Sequence, residues 1–355
     1  MTRIFLIRHA EAEGNIYRRA HGQFNGQIIG RGFAQIEQLK ERFIHEKIEA
    51  VYSSDLTRTI VTAAAISETH GLPVNTTDRL REVNIGEWED LAWGDIRHSC
   101  PEMSGLFNSD PAHWCVDGGE DYMNVRKRMK NCLIDIGRRH ENQTVAVFSH
   151  GFATRALLCE LMGIPSHRTE LVPYCDNTAV ALLHYDNARV TIEYHGDNSH
   201  LQSESSTLAK QTWWRDKEER RSEDLRYISF DEKQYSELLN HCCRESGSDP
   251  LADFRLIAAL DDQAAGILGL NINKDCDNNI GWISHMYIKP ELRRMGFGIQ
   301  LLGQAVSEYR KLRREKLLLE VSAGSPAANF CARYGFEKIG GSHLLYLMEK
   351  DIRNW

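Results

Sequence analysis

The sequence predicts an α/β protein of two domains, a doubly wound α/β/α sandwich followed by a mixed α+β domain. Three observations carry this. The 355 residues exceed what one core usually organises. The first two hundred alternate short apolar runs with amphipathic stretches, the pattern of a parallel-rich sheet covered by helices. Beyond Asn198 the pattern lapses, and a differently ordered one begins at Leu225.

In chain order, "RIFLI" from Arg3, "EAVYSS" from Glu49 and "TVAVFS" from Thr144 read as buried strands. Helix-period patterns follow at Thr57–Ile66 and Ala153–Leu161. "NSHLQSESSTLAKQ" from Asn198 gains Ser and Gln as a linker does, and "DKEERRSED" from Asp216 reads as a solvated helix face. The expected division is therefore 1–203, a linker 204–222, and 223–355. Strand Ile283–Ile288 stops at Pro290, "KLLLEVSA" from Lys316 supplies another strand, and "AANFCARYGF" from Ala327 a helix and turn.

Net charge is −7, which argues against a general nucleic-acid or membrane-surface binder. No signal peptide opens the chain, and no apolar run would span a bilayer. Nine cysteines without a CxxC pair point to a reduced, cytoplasmic setting, with Cys242-Cys243 read as partly buried helix residues.

Ligands of open parallel sheets bind at the carboxyl ends of strands. Arg8-His9 follow the first strand, Ser149-His150-Gly151 follow "TVAVF", and Arg58 opens the helix after a third. Gly151 is expected to permit a tight strand-to-helix turn. Two guanidiniums and two imidazoles from separate strand ends suit phosphoryl transfer. The cations clamp a phosphate, one neutral imidazole attacks phosphorus, and the other donates to the equatorial oxygens. "LREVNIGEWE" offers Glu82 as the acid for the leaving oxygen, given a pKa raised by partial burial.

"RHAEAEGN", "SSDLTRTIVTAAAI", "LREVNIGEWE", "GGEDYMNVRKRM" and "VAVFSHGFATRALLCELMGIP" together resemble the histidine phosphatase superfamily in its phosphoglycerate mutase-like branch, from Arg3 to about Leu201. The resemblance implies His9 as the nucleophile that becomes phosphohistidine, and Arg8, Arg58 and His150 as the phosphate pocket. It also implies Glu82 as proton donor and Asn15 as a substrate-side contact, with no metal. Ala10 replaces the usual Gly after the nucleophile, Ala12 the usual Thr or Ser, and "FNGQIIG" from Phe24 a differently built loop. Ala10 is tolerable if its φ is negative. The insert from Gly86 to Glu120 should form the cap. Its eight carboxylates against one cation, Arg97, favour hydrolysis over mutase chemistry; they suggest either a positively charged leaving group such as an amine or the ordinary acidity of surface loops. Trp88, Trp93 and Trp114 argue for a closed small-molecule pocket over a protein substrate.

"GWISHMYIKPELRRMGFGIQLL" from Gly281 carries R-x-x-G-x-G at Arg293–Gly298 before an amphipathic helix, which suits a pyrophosphate at a helix N-terminus. With the strand and helix that follow, Leu225–Glu349 resembles the GNAT superfamily of acetyl-CoA-dependent N-acetyltransferases. The resemblance implies that Arg293, Arg294, Met295, Gly296, Phe297, Gly298 and Ile299 wrap the CoA pyrophosphate, while Met286, Tyr287 and Ile288 pair with the pantetheine arm. It further implies direct attack by the amine, without a metal. The family's usual Tyr acid is Cys331 here, so Cys331, Tyr334 or water must protonate the thiolate, and Glu320 and His285 are candidate bases. The combined expectation is a bifunctional enzyme for a small phosphorylated, amino-bearing metabolite, such as an amino sugar, aminocyclitol or nucleoside derivative. The alternative is a phosphatase regulated by an acetyl-CoA-sensing, catalytically idle GNAT domain.

Overall fold

A computed structural model describes residues 1–215, 223–246 and 252–353. They form two compact units. The first comprises Met1–Ala12, Ala20–Glu89 and Ser99–Arg220; the second comprises Glu13–Arg19, Asp90–His98 and Arg221–Trp355.

The first unit holds β1 (Thr2–Arg8), β2 (Ala50–Ser53), β3 (Val74–Thr76), β4 (Thr144–Ser149), β5 (Val180–Asp186) and β6 (Arg189–Asp197). Helix α1 (Glu13–Tyr17) belongs to the second unit. The first unit resumes with α2 (Arg31–Phe43) and α3 (Thr57–His70). The sheet order is β3-β2-β4-β1-β5-β6; the first four strands are parallel, and β5 and β6 are added antiparallel. Strand β1 is buried on both faces because helices cover both. Phe5, Ile7, Val51 and Phe148 pack with Leu39 and Phe43 of α2 and Ala63 and Ile66 of α3. The opposite layer is α6 (Tyr122–Arg139) and α7 (Gly151–Met162), preceded in the chain by α4 (Trp93–Ser99) and α5 (Pro101–Ser109).

The Ser- and Gln-rich stretch is not a loose tether. Ser205 and Thr207 are buried; Gln35 Nε2 donates to the Ser205 carbonyl, the Thr207 hydroxyl donates to Glu11, and the Thr207 amide donates to Asp176. Trp213 meets the Tyr174 ring edge-on, with centroids 4.9 Å apart. These buried hydrogen bonds fasten residues 204–215 to the first unit, which corrects the linker reading for them. Most of the mixed-charge run, residues 216–222, lies outside the described residues. Its last member, Asp224, is buried against Arg18 and is no solvated side chain.

The second unit is a seven-stranded sheet of β7 (Arg226–Ser229), β8 (Phe254–Leu260), β9 (Gln263–Asn271), β10 (Ile280–Ile288), β11 (Lys316–Ser322), β12 (Glu337–Gly341) and β13 (Leu345–Asp351). Its order is β12-β13-β11-β10-β9-β8-β7, antiparallel except for the parallel pair β10–β11. Helix α8 (Glu232–Ser246) covers one face through a core of Ile257, Ile267, Tyr287 and Cys242. Helices α9 (Phe297–Lys311) and α10 (Pro326–Arg333) complete the unit. Helix α1 packs on α9: a Cβ at Gly303 would lie 2.5 Å from the Tyr17 ring. Glu13 forms a bidentate ion pair with Arg310, and Arg19 reaches Asp90, Gln304 and Ser307.

Candidate functional site

In the first unit the carboxyl ends of β1 and β4 and the first turn of α3 bring Arg8, His9, His150 and Arg58 together, with the two imidazole centroids 5.2 Å apart. His9 Nδ1 lies 2.7 Å from the Ala10 carbonyl. A carbonyl only accepts, so Nδ1 carries the hydrogen and Nε2 keeps its lone pair. Burial, then the charges of Arg58 and Arg8, hold the His9 pKa well below the ordinary histidine value. The ring is therefore neutral at physiological pH, with its lone pair on Nε2. Its backbone is fixed by three groups absent from the sequence reading. Asn177 Nδ2 and the Thr178 amide donate to the His9 carbonyl at 2.9 and 3.3 Å, and Thr62 Oγ1 accepts from the Ala10 amide at 2.9 Å. Thr178 is a β-branched residue at φ 60°, a strained conformation held beside His9. Ala10 lies outside the left-handed region, so its methyl replaces glycine without strain.

Arg58 is 2% exposed and donates from Nε to His150 Nδ1 (3.2 Å), and from its Nη atoms to the Phe24 and Gly22 carbonyls (2.8 and 2.6 Å). With Nδ1 accepting, His150 carries its hydrogen on Nε2, 2.9 Å from Ser54 Oγ. Burial, then Arg58 and His9, push the His150 pKa well down, so it too is a neutral donor. Burial lowers Arg58 only to about 10, which leaves it charged. Arg8 Nη1 is held by the Cys175 carbonyl, while its Nε is buried without a partner. That donor is open to a phosphate oxygen. Gly151 serves this guanidinium: it has no positive φ, and a Cβ there would lie 3.2 Å from Arg8 Nε. The glycine makes room for the arginine; it does not shape the turn.

Glu82 reaches the start of α7, where it accepts from the Phe152 and Ala153 amides at 3.0 and 2.7 Å, and from Val83 at 3.1 Å. Glu82 is buried, as expected, and what it meets there is the helix N-terminal amides. Oε2 accepts one of these bonds and keeps a lone pair on which a proton can travel. Arg128 fixes this turn by donating to the carbonyls of Arg79, Arg81 and Glu82 while pairing with Glu120. His21 was likewise missed; its ring lies tilted against Phe24, centroids 4.6 Å apart, and is close enough to His9 to lower its basicity. Asn15 lies on α1, which belongs to the second unit.

The acidic insert does not form one charged cap. Asp90 and Asp95 belong to the second unit, where Asp90 pairs with Arg19 and Asp95 accepts the Tyr227 amide. Glu89 accepts the amides of Gly22, Gln23 and Phe24, Glu120 pairs with Arg128, and Asp110 with His113. Five of the eight carboxylates are thus engaged by these partners, two of them in the second unit, so their number by itself does not support a cationic substrate. Of the three tryptophans, Trp93 is in the second unit. Trp88 and Trp114 pack with Phe107, which stacks on Phe152 at 4.8 Å.

In the second unit β10 and β11 pair only from Ile280–Lys316 to Ile283–Leu319. Beyond Ile283 the backbone edge of Met286, Tyr287 and Ile288 is unpaired on the β11 side. Gly296, at φ 91°, caps α9 without a side-chain hydrogen bond, and Arg294 is left-handed at φ 64°. This alternation turns successive amides toward one concavity. The Arg293 side chain is committed elsewhere, to Glu245 and the Ile288 carbonyl. Phe330 of α10 lies over Gly298, and Tyr334 meets Phe330 edge-on at 4.9 Å. Cys331 is buried, which pushes its thiol up to about 11; it stays protonated and donates weakly. Glu320 is exposed on β11, whereas His285 is 5% exposed, with Nε2 unpartnered and a pKa lowered to about 4 by burial and Arg255. Among the described residues no three His, Cys, Asp or Glu side chains gather as a metal site, and no helix is long and apolar enough to cross a membrane.

Residues 4–198 match the family model of the histidine phosphatase superfamily (branch 1). The chain belongs to that superfamily. Residues 210–336 match the acetyltransferase (GNAT) family model, so a histidine phosphatase is joined to an acetyltransferase in one chain. The histidine phosphatase part is similar to phosphoserine phosphatase 1 of Hydrogenobacter thermophilus, 32% identical over 192 residues covering 54% of this chain and 90% of that one. It is also similar to a metal-independent phosphoserine phosphatase of Arabidopsis thaliana, 31% identical over 206 residues, 57% and 84% of the two chains. Among solved structures, Bacillus stearothermophilus YhfR superposes with a TM-score of 0.55 at 27% identity, covering 57% of this chain and all of that one.

Proposed function

We propose a bifunctional enzyme that hydrolyses a phosphate monoester through phosphohistidine and N-acetylates an amine, both on small amino-bearing metabolites. The carrying observation is the His9 ring: neutral, with Nδ1–H held by the Ala10 carbonyl and Nε2 free between Arg58, Arg8 and His150. In this reading His9 Nε2 attacks phosphorus as the ester P–O bond breaks. Arg8 Nε, Arg58 and His150 Nε2–H hold the equatorial oxygens. A proton on Glu82 Oε2 passes to the leaving oxygen, and Glu82 then takes one from the water that cleaves the phosphohistidine. Two relatives named phosphoserine phosphatases support an amine-bearing monoester, replacing the argument from the insert's charge. Asn15 remains a proposed substrate-side contact.

For the second unit, the parted β10–β11 edge and the uncapped, glycine-led start of α9 fit acetyl-CoA, held by the backbone of Met286–Ile288 and Arg293–Ile299. Bound there, it supplies an acetyl thioester. Tyr334 and Cys331 are the nearby hydroxyl and thiol from which a thiolate takes its proton. The buried Cys331 favours a second reading, in which this unit only senses acetyl-CoA. Free cysteines, the pair Cys242-Cys243 included, fit a cytoplasmic setting. The test combines rapid acid quench for a phosphoenzyme, absent in His9→Ala, with a screen of phosphate and CoA release on O-phosphoserine, serine and other aminated esters. Acetyl-CoA that alters phosphate release without CoA appearing supports the sensing reading. A wild-type protein with no phosphoenzyme on any ester overturns the first.

A further inference from the structure

Three neighbouring strands of the second unit carry Arg255, Gly269 and His285 in one row: Arg255 pairs with Gly269 across β8–β9, and Gly269 with His285 across β9–β10. Residues two apart along a strand share a face, so the row lies beside Ile257, Ile267 and Tyr287 on the face that α8 covers. Gly269 is a spacer. A Cβ there would lie 2.2 Å from His285 Cε1 and 2.5 Å from Nε2, so the imidazole lies directly over β9. His285 Nδ1 is 3.2 Å from Ser284 Oγ, but Nε2 is buried with no hydrogen-bond partner. Arg255 Nε is also buried without a partner, and among the described residues its guanidinium meets only the Phe230 ring, 5.7 Å away. A half-buried cation and a buried imidazole nitrogen, each unsatisfied and a spacer apart, are costly unless a ligand completes them.

We infer that this row is the acceptor subsite of the acetyltransferase, and that it takes an α-amino acid: the Arg255 guanidinium holds the carboxylate, and His285 Nε2 accepts a hydrogen bond from the neighbouring ammonium. The inference rests on the acetyltransferase reading above and narrows its substrate class. With the imidazole lying over β9, a ligand above the row has to bridge it only to the guanidinium borne by the adjacent strand β8. Burial and the Arg255 charge hold His285 neutral, so its lone pair is available. A guanidinium and a carboxylate match in a planar, bidentate pair, which selects against amines lacking the acid group.

The test uses the full chain with acetyl-CoA and either L-serine or ethanolamine, which lacks the carboxylate, and measures acetylated product by mass spectrometry. Serine should show a KM lower than ethanolamine by about 10- to 100-fold, the worth of a charge-assisted pair. Arg255→Gln should abolish that preference by raising KM for serine alone, with Arg255→Lys restoring part of it. His285→Gln should weaken both amines. Phosphate release from p-nitrophenyl phosphate and retained acetyl-CoA binding report that each variant is folded. Acetylation of both amines with equal KM, or a preference untouched in Arg255→Gln, overturns the subsite and leaves the acetyltransferase standing. If acetyl-CoA binds but no amine is acetylated, the acetyltransferase reading fails. Calorimetric titration with L-serine then decides the subsite: binding that is lost in Arg255→Gln supports it, and no binding to the wild type overturns it.

Discussion

Glu13→Gln should lower the stability of the second unit by about 3–5 kcal/mol, although the residue stands only four positions after His9. Its carboxylate is 1% exposed and meets the 9% exposed Arg310 side chain through two bonds of 2.9 and 3.1 Å. Lys350 is also buried nearby; burial lowers its pKa and the Glu13 charge raises it. Neutralising Glu13 therefore leaves two buried cations facing one another, the costly case of a pair broken on one side. In a unit of about 150 residues the loss corresponds to a fall in Tm of roughly 6–20 °C. Differential scanning calorimetry of the full chain measures it, and the double variant Glu13→Leu, Arg310→Met should recover part of the loss by replacing the pair with apolar contact. A fall of under about 2 °C, or a double variant less stable than the single one, would refute the reasoning.

Acid should destabilise the protein from near pH 6.5 downward. His9, His150 and His285 have folded pKa values below the unfolded one, so below 6.5 the unfolded chain takes up protons that the folded one refuses. Each costs up to about 1.4 kcal/mol per pH unit until its folded value is reached, which urea titrations at stepped pH would reveal as a falling midpoint. Arg128→Leu should cut phosphatase kcat by roughly 10- to 100-fold with a smaller effect on KM, since it frees the turn that aims Glu82, and Arg128→Lys should restore part. An unchanged kcat would remove Arg128 from the positioning of Glu82. Gly151→Ala should weaken phosphate inhibition, because its methyl crowds Arg8 Nε; unaltered inhibition would mean that the guanidinium yields freely.

The convergence of the first site was legible because it sits where strand ends must put it. Arg8, His9 and His150 follow β1 and β4 directly, and Arg58 follows β2 by one turn, so strand periodicity alone converged them. Their supports were not legible. Ser54, Thr62, Asn177 and Thr178 act through single hydrogen bonds set by loop geometry, and Arg128 acts on carbonyls that have no sequence signature. Glu82 was singled out as a candidate, but its partners were not foreseen, since the reach from residue 82 to the amides of α7 is tertiary. Charge counting failed in the insert for the same reason: composition cannot tell a carboxylate committed to Arg19 or to backbone amides from a free one. Polarity misled in the linker too, where Ser205 and Thr207 are polar because they satisfy buried partners.

Helix α1 and the segment Asp90–His98 have a consequence for how the protein is made. Both leave the ribosome with apolar residues, Ile16, Tyr17 and Ile96, that are buried in the finished second unit. The helix on which α1 packs, α9, ends at Lys311, nearly three hundred residues after Tyr17. At ordinary elongation speeds of about 5–20 residues per second, that face waits roughly 15–60 s for it. Between Met1 and Arg221 the backbone passes back and forth between the units, so neither is finished when the first two hundred residues have emerged. Translation pauses, chaperone supply and early termination in the last third of the message therefore bear on α1 and Asp90–His98, made long before, as directly as on the strands then being made.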